Sequence, residues 1–275
     1  MLKMINKNGK EVTFNSQLPF LIQEFKDDGV GVEIHSTKSF MRNGQDYNYN
    51  ILETRQLTLK FMIEGQNEQE LRDKIKLINN VVNPILGEVL IIYENKCIKA
   101  IADNTLSLEE NEKTNINLYE NKIRFVCSDP FWKDIGSTKL KLCAFVNKFK
   151  FPFHFPVKMG GKANKITNIL DGDAETSIKI KFTGNMVNPI LFNNTTGDFI
   201  KLNCKLTEND VVEIDTDYKT RCIKLNGTSN FSILDFNSTL FQLGIGENEL
   251  EFKSDKADSK AKIEIEYKNN YISCE

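Results

Sequence analysis

Histidine occurs only twice in the 275 residues, at His35 and His154, and tryptophan once, at Trp132. With so few imidazoles there is little for acid–base or nucleophilic catalysis to use, and no GxSxG, HExxH or CxxC motif supplies a nucleophile or a metal cage. No apolar run approaches the roughly 18 residues that a membrane-spanning helix needs. A charge excess is missing as well. The net charge is −2, with 17 basic and 20 acidic residues in 1–135 and 19 basic and 18 acidic in the remainder. A chain so evenly balanced does not hold a polyanion tightly.

The six cysteines (97, 127, 143, 204, 222 and 274) show no zinc, thioredoxin or haem spacing. The opening stretch MLKMINKNGKEV lacks the apolar centre of a secretory signal, so reduced thiols are expected. Cys127 in IRFVC and Cys222 in TRCIKL read as small strand residues that pack as hydrophobes. Asp171-Gly172-Asp173-Ala174-Glu175 begins like a calcium loop. Thr176 and Phe182, however, occupy the positions where such a loop needs Gly and a carboxylate. Asp215-Thr216-Asp217 reads as a turn, and Gly160-Gly161-Lys162 fails the P-loop template because Pro156 replaces its first Gly. No catalytic, cofactor-binding or metal-ligating residue is assigned, and no enzyme is expected.

What the chain does have is strand material. Phe is abundant, with 19 residues, and aromatics make up 10% of the chain. Aromatic and β-branched side chains suit the half-buried surface of a pleated sheet. Phe20-Leu21-Ile22 is short and apolar, and residues 29–34 alternate. A polar loop is expected over residues 42–50, carrying Tyr47 and Tyr49. Leu57, Leu59, Phe61 and Ile63 then alternate with polar neighbours as a strand buried on one face.

The period changes only once. Asn67 and Glu70 have N-cap spacing, and Leu71, Ile75, Ile78 and Val82 recur at helical intervals, widened by Leu77 and Val81. Asn83-Pro84 stops the pattern, which predicts a helix over about 68–82. Residues 89–93 and 97–101 read as a hairpin. Leu106 and Leu108 lead into the acidic loop 109–112, and Ile116 and Leu118 then pair with Ile123, Phe125 and Cys127 about a turn at Glu120-Asn121.

Phe151-Pro152-Phe153-His154-Phe155-Pro156 cannot be helical and reads as an extended connector. Beyond it, residues 177–182, 199–202, 211–214, 222–225, 231–234, 249–252 and 261–267 read as short strands separated by turn signals, the pattern of a sandwich. The organisation expected is therefore residues 1–135, a connector over 136–164, and residues 165–275.

Several segments in order resemble the siphophage distal tail protein family. They are the strand–helix–Asn-Pro element over 57–84, the closing Asp129-Pro130-Phe131-Trp132 and the Phe/Pro connector. In the second half follow Asp171-Gly172-Asp173-Ala174-Glu175-Thr176 before a strand, then Asn188-Pro189-Ile190, Thr195-Thr196-Gly197-Asp198 and Leu243-Gly244-Ile245-Gly246-Glu247-Asn248. The resemblance implies a mainly β fold, with an N-terminal β-sandwich that carries one helix and a C-terminal galectin-like sandwich. It implies a homohexameric ring at the virion tail tip, assembled in the bacterial host cytoplasm and joining the tail tube protein to the hub or tail-associated lysin. It further implies docking surfaces for receptor-binding proteins, no membrane contact, and a lumen through which DNA passes without specific binding. The net −3 of residues 1–135 suits such a lumen. Two other readings stay open. One is a sugar-binding adhesion module, with Trp132, Tyr47, Tyr49 and Tyr218 as its stacking residues. The other is a hydrolase assembled from distant loops.

Overall fold

The structure, a computed structural model, describes residues 1–106, 118–144 and 164–274. It is mainly β, with one α-helix among the described residues. Contacts divide it into two compact units: Met1–Ile135 with Tyr271–Glu275, and Gly136–Asn270.

The first unit runs β1 (Leu2–Ile5), β2 (Glu11–Phe14), β3 (Phe20–Thr37), β4 (Asp46–Glu64), α1 (Glu68–Val81), β5 (Val89–Tyr93), β6 (Lys96–Ala102), β7 (Leu118–Cys127) and β8 (Trp132–Asp134). Its sheet has the order β2-β1-β5-β6-β7-β4-β3, antiparallel throughout, and β8 adds to β6. Leu57, Leu59, Phe61 and Ile63 are fully buried on the inner side of β4, as their alternation predicts. Phe61 meets Phe14 with ring centroids 5.0 Å apart.

The helix begins where the sequence places it. The Asn67 side chain accepts a hydrogen bond from the Glu70 amide at 2.9 Å, and the Glu70 carboxylate in turn accepts the Gln66 amide at 2.8 Å. Leu71, Ile75, Ile78 and Val81 face the core, and each such burial stabilises by roughly 1.5–3 kcal/mol. Asn83-Pro84 follows the helix and opens a single 3₁₀ turn, Pro84–Leu86. Leu77, expected to widen the apolar stripe, lies instead on the exposed side.

The second unit contains β9 (Thr138–Cys143), β10 (Lys165–Leu170), β11 (Ile178–Thr183), β12 (Met186–Val187), β13 (Ile190–Asn193), β14 (Phe199–Lys201), β15 (Lys205–Leu206), β16 (Val211–Asp215), β17 (Cys222–Leu225), β18 (Thr228–Ser229), β19 (Gly246–Lys253), β20 (Lys256–Ala257) and β21 (Lys262–Tyr267). A sheet of order β18-β17-β16-β11-β21-β9 and one of order β10-β19-β13-β14 share a single core. Ile180, Phe182, Ile214 and Ile263 come from the first sheet, and Leu191, Ile200, Leu250 and Phe252 from the second. A short ladder, β15-β12-β20, sits beside them.

Four expectations need correcting. Residues 46–50 are not a loop but the start of β4, because pairing with β3 overrides their poor strand propensity. Glu120-Asn121 is not a turn, since β7 runs straight through it against β4. Residues 231–234 form a 3₁₀ turn, Phe231–Ile233, rather than a strand. Thr138–Cys143, counted in the connector, is a full strand paired to β21. The acidic loop 109–112, Leu108, Ile116, the Phe/Pro motif with His154, and Gly160-Gly161-Lys162 lie outside the described residues.

Candidate assembly interface

The hairpin of β3 and β4 is much longer than the sheet that roots it. On the far side of β4, strand β7 pairs from Glu64 back to Arg55, opposite Cys127, and stops there. Beyond Arg55, among the described residues, the two strands pair only with each other, Val32 with Leu52, Ile34 with Asn50, His35 with Tyr49 and Thr37 with Asp46. Residues 28–53 thus form a two-stranded ribbon, a structure only marginally stable by itself in water. Among the described residues, the outer edge of β3 is met only by a bridge between Asn15 and Leu21. The distal edge of β4 is met by no strand among the described residues.

Both faces of this ribbon carry apolar side chains in solvent. Val32 and Ile34 are exposed on one face, and Tyr49 and Ile51 on the other. At the tip Phe40 and Met41 are 94% and 92% exposed. His35 stacks on Tyr49 at 4.5 Å between centroids, with Glu33 3.4 Å from its Nε2. Free strand edges and contiguous exposed apolar groups are features that folded monomers suppress and interfaces use.

The root is rigidly built. Arg55 is buried, and its Nη1 donates to both oxygens of Asp27 at 2.6 and 2.5 Å. Its Nε donates to the Pro130 carbonyl at 2.7 Å. The Trp132 indole donates to Asp27 at 2.9 Å, and the Asp27 carboxylate also takes the Gly29 amide at 2.9 Å. Gly29 has φ +77°, where the pairing register shifts between Asp27 and Val30. The bulge redirects the strands as they leave the sheet. Cys127, next to Arg55 in the ladder, is fully enclosed, and burial pushes its thiol up to about 12.

The residues weighed for sugar stacking stand in different settings. Trp132 is completely buried at the ribbon root, whereas Tyr47 and Tyr49 stand on the ribbon. Tyr218 is exposed in the second unit beneath Arg221, whose guanidinium lies 4.6 Å from the ring. Among the described residues no group of His, Cys, Asp and Glu could hold a metal ion, and no helix is long and apolar enough to cross a membrane. The Asp171 segment leads to Thr176, a buried residue whose amide donates to the Leu243 carbonyl at 3.0 Å. Asn248, also buried, closes the Gly244–Gly246 turn through its side-chain amide, at 2.8 and 3.1 Å to the two glycine carbonyls. Both segments brace turns.

The sequence reading missed the Arg55 cluster. A signal was present, because Arg55 has the same strand parity as Leu57, Leu59, Phe61 and Ile63 and therefore had to point inward.

Two family models match the chain. Residues 7–127 match the phage tail protein RIFT-related domain, and residues 171–271 match the siphovirus-type tail component, C-terminal domain. No curated protein matches in sequence. Among solved structures, the chain is similar to the Dit protein of phage SPP1, described as a paradigm of the hub adsorption apparatus in phages infecting Gram-positive hosts. The TM-score is 0.70 at 14% identity, over 98% of this chain and 99% of that one. It is also similar to a chain of the phage P2 baseplate in its activated conformation with calcium. There the TM-score is 0.57 at 12% identity, over 98% and 97% of the two chains. With models of siphophage tail components matched in both halves, the chain belongs to the siphophage distal tail protein family.

Proposed function

We propose that this chain is a non-enzymatic ring component of the tail tip, six copies of which close head to tail. The ring joins the tail tube to the hub or tail-associated lysin and offers docking surfaces to adsorption proteins. DNA passes through its lumen without specific binding. The observation that carries the reading is the unfinished ribbon. Among the described residues, the outer edge of β3 and the distal edge of β4 are left without a partner strand, and they are different edges of one hairpin. Pairing one edge with its complement on the next copy is a heterologous contact, which closes into a ring when the rotation is commensurate. Closure pairs both edges of the ribbon in every copy.

The test is the mass of the purified protein by light scattering over a range of concentrations, with negative-stain imaging. The expected result is a closed ring of six 31.6 kDa chains. A protein that stays monomeric at high concentration, both alone and when mixed with tail tubes, overturns the proposal. The sugar-binding alternative has lost Trp132 to the core of the first unit, so no observation favours it.

A further inference from the structure

Arg55 makes one further contact. Its Nη2 donates to the carbonyl of Ile272, 217 residues further along the chain. Residues 271–274 form a short segment bound to the first unit by contacts of their own. The Lys96 ammonium sits 4.0 Å from the centre of the Tyr271 ring and donates to the Ser273 carbonyl at 3.1 Å. Tyr271 and Cys274 pack against the first unit's core. The guanidinium at the ribbon root is therefore completed by a piece of chain made only after the whole second unit.

We propose that residues 271–274 act as a strap that fixes the ribbon at its root, so that the chain acquires an assembly-competent ribbon only once the second unit has been synthesised. Going outward along β4, Arg55 is the last residue flanked by a third strand, immediately before the ribbon begins. Asp27, on the facing strand opposite Leu57, reaches Arg55 diagonally through its carboxylate and takes the Gly29 amide at the bulge. With the strap in place, Asp27, Pro130 and Ile272 occupy Nη1, Nε and Nη2 of the guanidinium. Without it, an N–H of a buried cation loses its acceptor, and water must enter or the side chain must turn out. Either response disturbs Asp27, and through Asp27 the bulge. Among the described residues the ribbon has no third strand to hold its direction. The strap thus makes ring building conditional on synthesis of the second unit, which keeps chains cut short before residue 271 out of the ring. This last consequence rests on the ribbon being the ring contact; the strap itself does not.

The experiment compares the full chain with one lacking residues 271–275 and with Lys96→Ala. The Lys96 substitution weakens the hold on the strap without touching the core. Hydrogen exchange is followed over 28–53, and alkylation of Cys127 by N-ethylmaleimide is read by peptide mass spectrometry. Cys127 reports on the root because it is sealed beside Arg55. In the shortened chain both rates are expected to rise roughly tenfold or more, as local opening without global unfolding does. Lys96→Ala is expected to give a smaller rise of the same pattern, with exchange in the second unit unchanged. If the shortened chain does not fold, Lys96→Ala decides. Unchanged ribbon exchange and Cys127 labelling in a folded variant overturn the strap. A loosened ribbon with unaltered particle mass keeps the strap and overturns the ribbon as the ring contact.

Discussion

The ribbon at residues 28–53 and the turns of the second unit are both exposed, polar-rich and irregular in sequence, yet they are treated in opposite ways. In the second unit the turns are tied down locally. Asp210 accepts the Thr207 amide and hydroxyl at 2.9 and 2.6 Å and the Asn226 side-chain amide at 2.8 Å. Asp258 accepts the amides of Lys260 and Ala261, and Asp235 accepts that of Asn237. Side chains that bond to nearby backbone in this way complete a turn without outside help. The ribbon has well-made pairing between its two strands and a rigid root, but its edges and apolar faces are left open. Exposure alone therefore does not mark an interface. What marks it is exposure combined with unfinished pairing.

The largest effect should come from a change that removes the support of the ribbon altogether. Ile75→Asp places a carboxylate on the buried face of α1, where nothing neutralises it. Its cost is about 4 kcal/mol or more. The first unit should unfold in thermal denaturation, and ring formation should vanish with it. Full retention of the melting temperature would mean that the helix does not turn that face inward in solution.

Ile34→Lys combined with Tyr49→Lys should separate the two properties. Both side chains stand in solvent, on opposite faces of the ribbon. Stability should move by no more than about 0.5 kcal/mol, as for ordinary surface substitutions. Assembly should be lost, because each subunit would bring charge into a contact that excludes water. If rings persist by light scattering, the comparison breaks and the interface lies elsewhere.

The helix and the alternating strands were legible because each depends on local pattern. Leu71, Ile75 and Ile78 keep a helical period, Asn67 marks its start, and Ile178 and Ile180 alternate with lysines. Leu77 misled because one more apolar residue beside the stripe cannot show which way the helix is rotated. The distal ribbon was only half legible. Val32 and Ile34 alternate visibly, but the partner stretch Asp46-Tyr47-Asn48-Tyr49-Asn50 has turn composition and becomes a strand only through pairing. The root was not legible as a cluster. Its members, Asp27, Arg55, Trp132 and Ile272, are far apart in the chain, and only the inward parity of Arg55 hinted at a buried charge needing partners. The boundary after Trp132 misled in another way. The lysine–leucine alternation of Thr138–Cys143 is a strand pattern, but the nearby prolines drew those residues into a connector.

The smallest expected effect tests the tied turns, and its sign follows from the carboxylate. The hydrogen bonds from Thr207, with that from Asn226, lower the Asp210 pKa from 3.8 to about 2. A carboxyl whose pKa is lower folded than unfolded stabilises the fold above the unfolded value and loses that contribution as pH falls through the folded one. The contribution is therefore complete above pH 3.8 and disappears as the pH drops towards 2. Asp210→Asn removes the titrating group, so unfolding of the second unit, followed between pH 5 and pH 2, should depend less steeply on acid than in the parent chain. At neutral pH the variant should be slightly less stable, and its assembly should be unchanged, because Asp210 only closes a turn. An effect on ring formation equal to that of the ribbon substitutions would show that the turns of the second unit also take part in assembly, and the distinction between tied and unfinished surface would no longer separate the two regions.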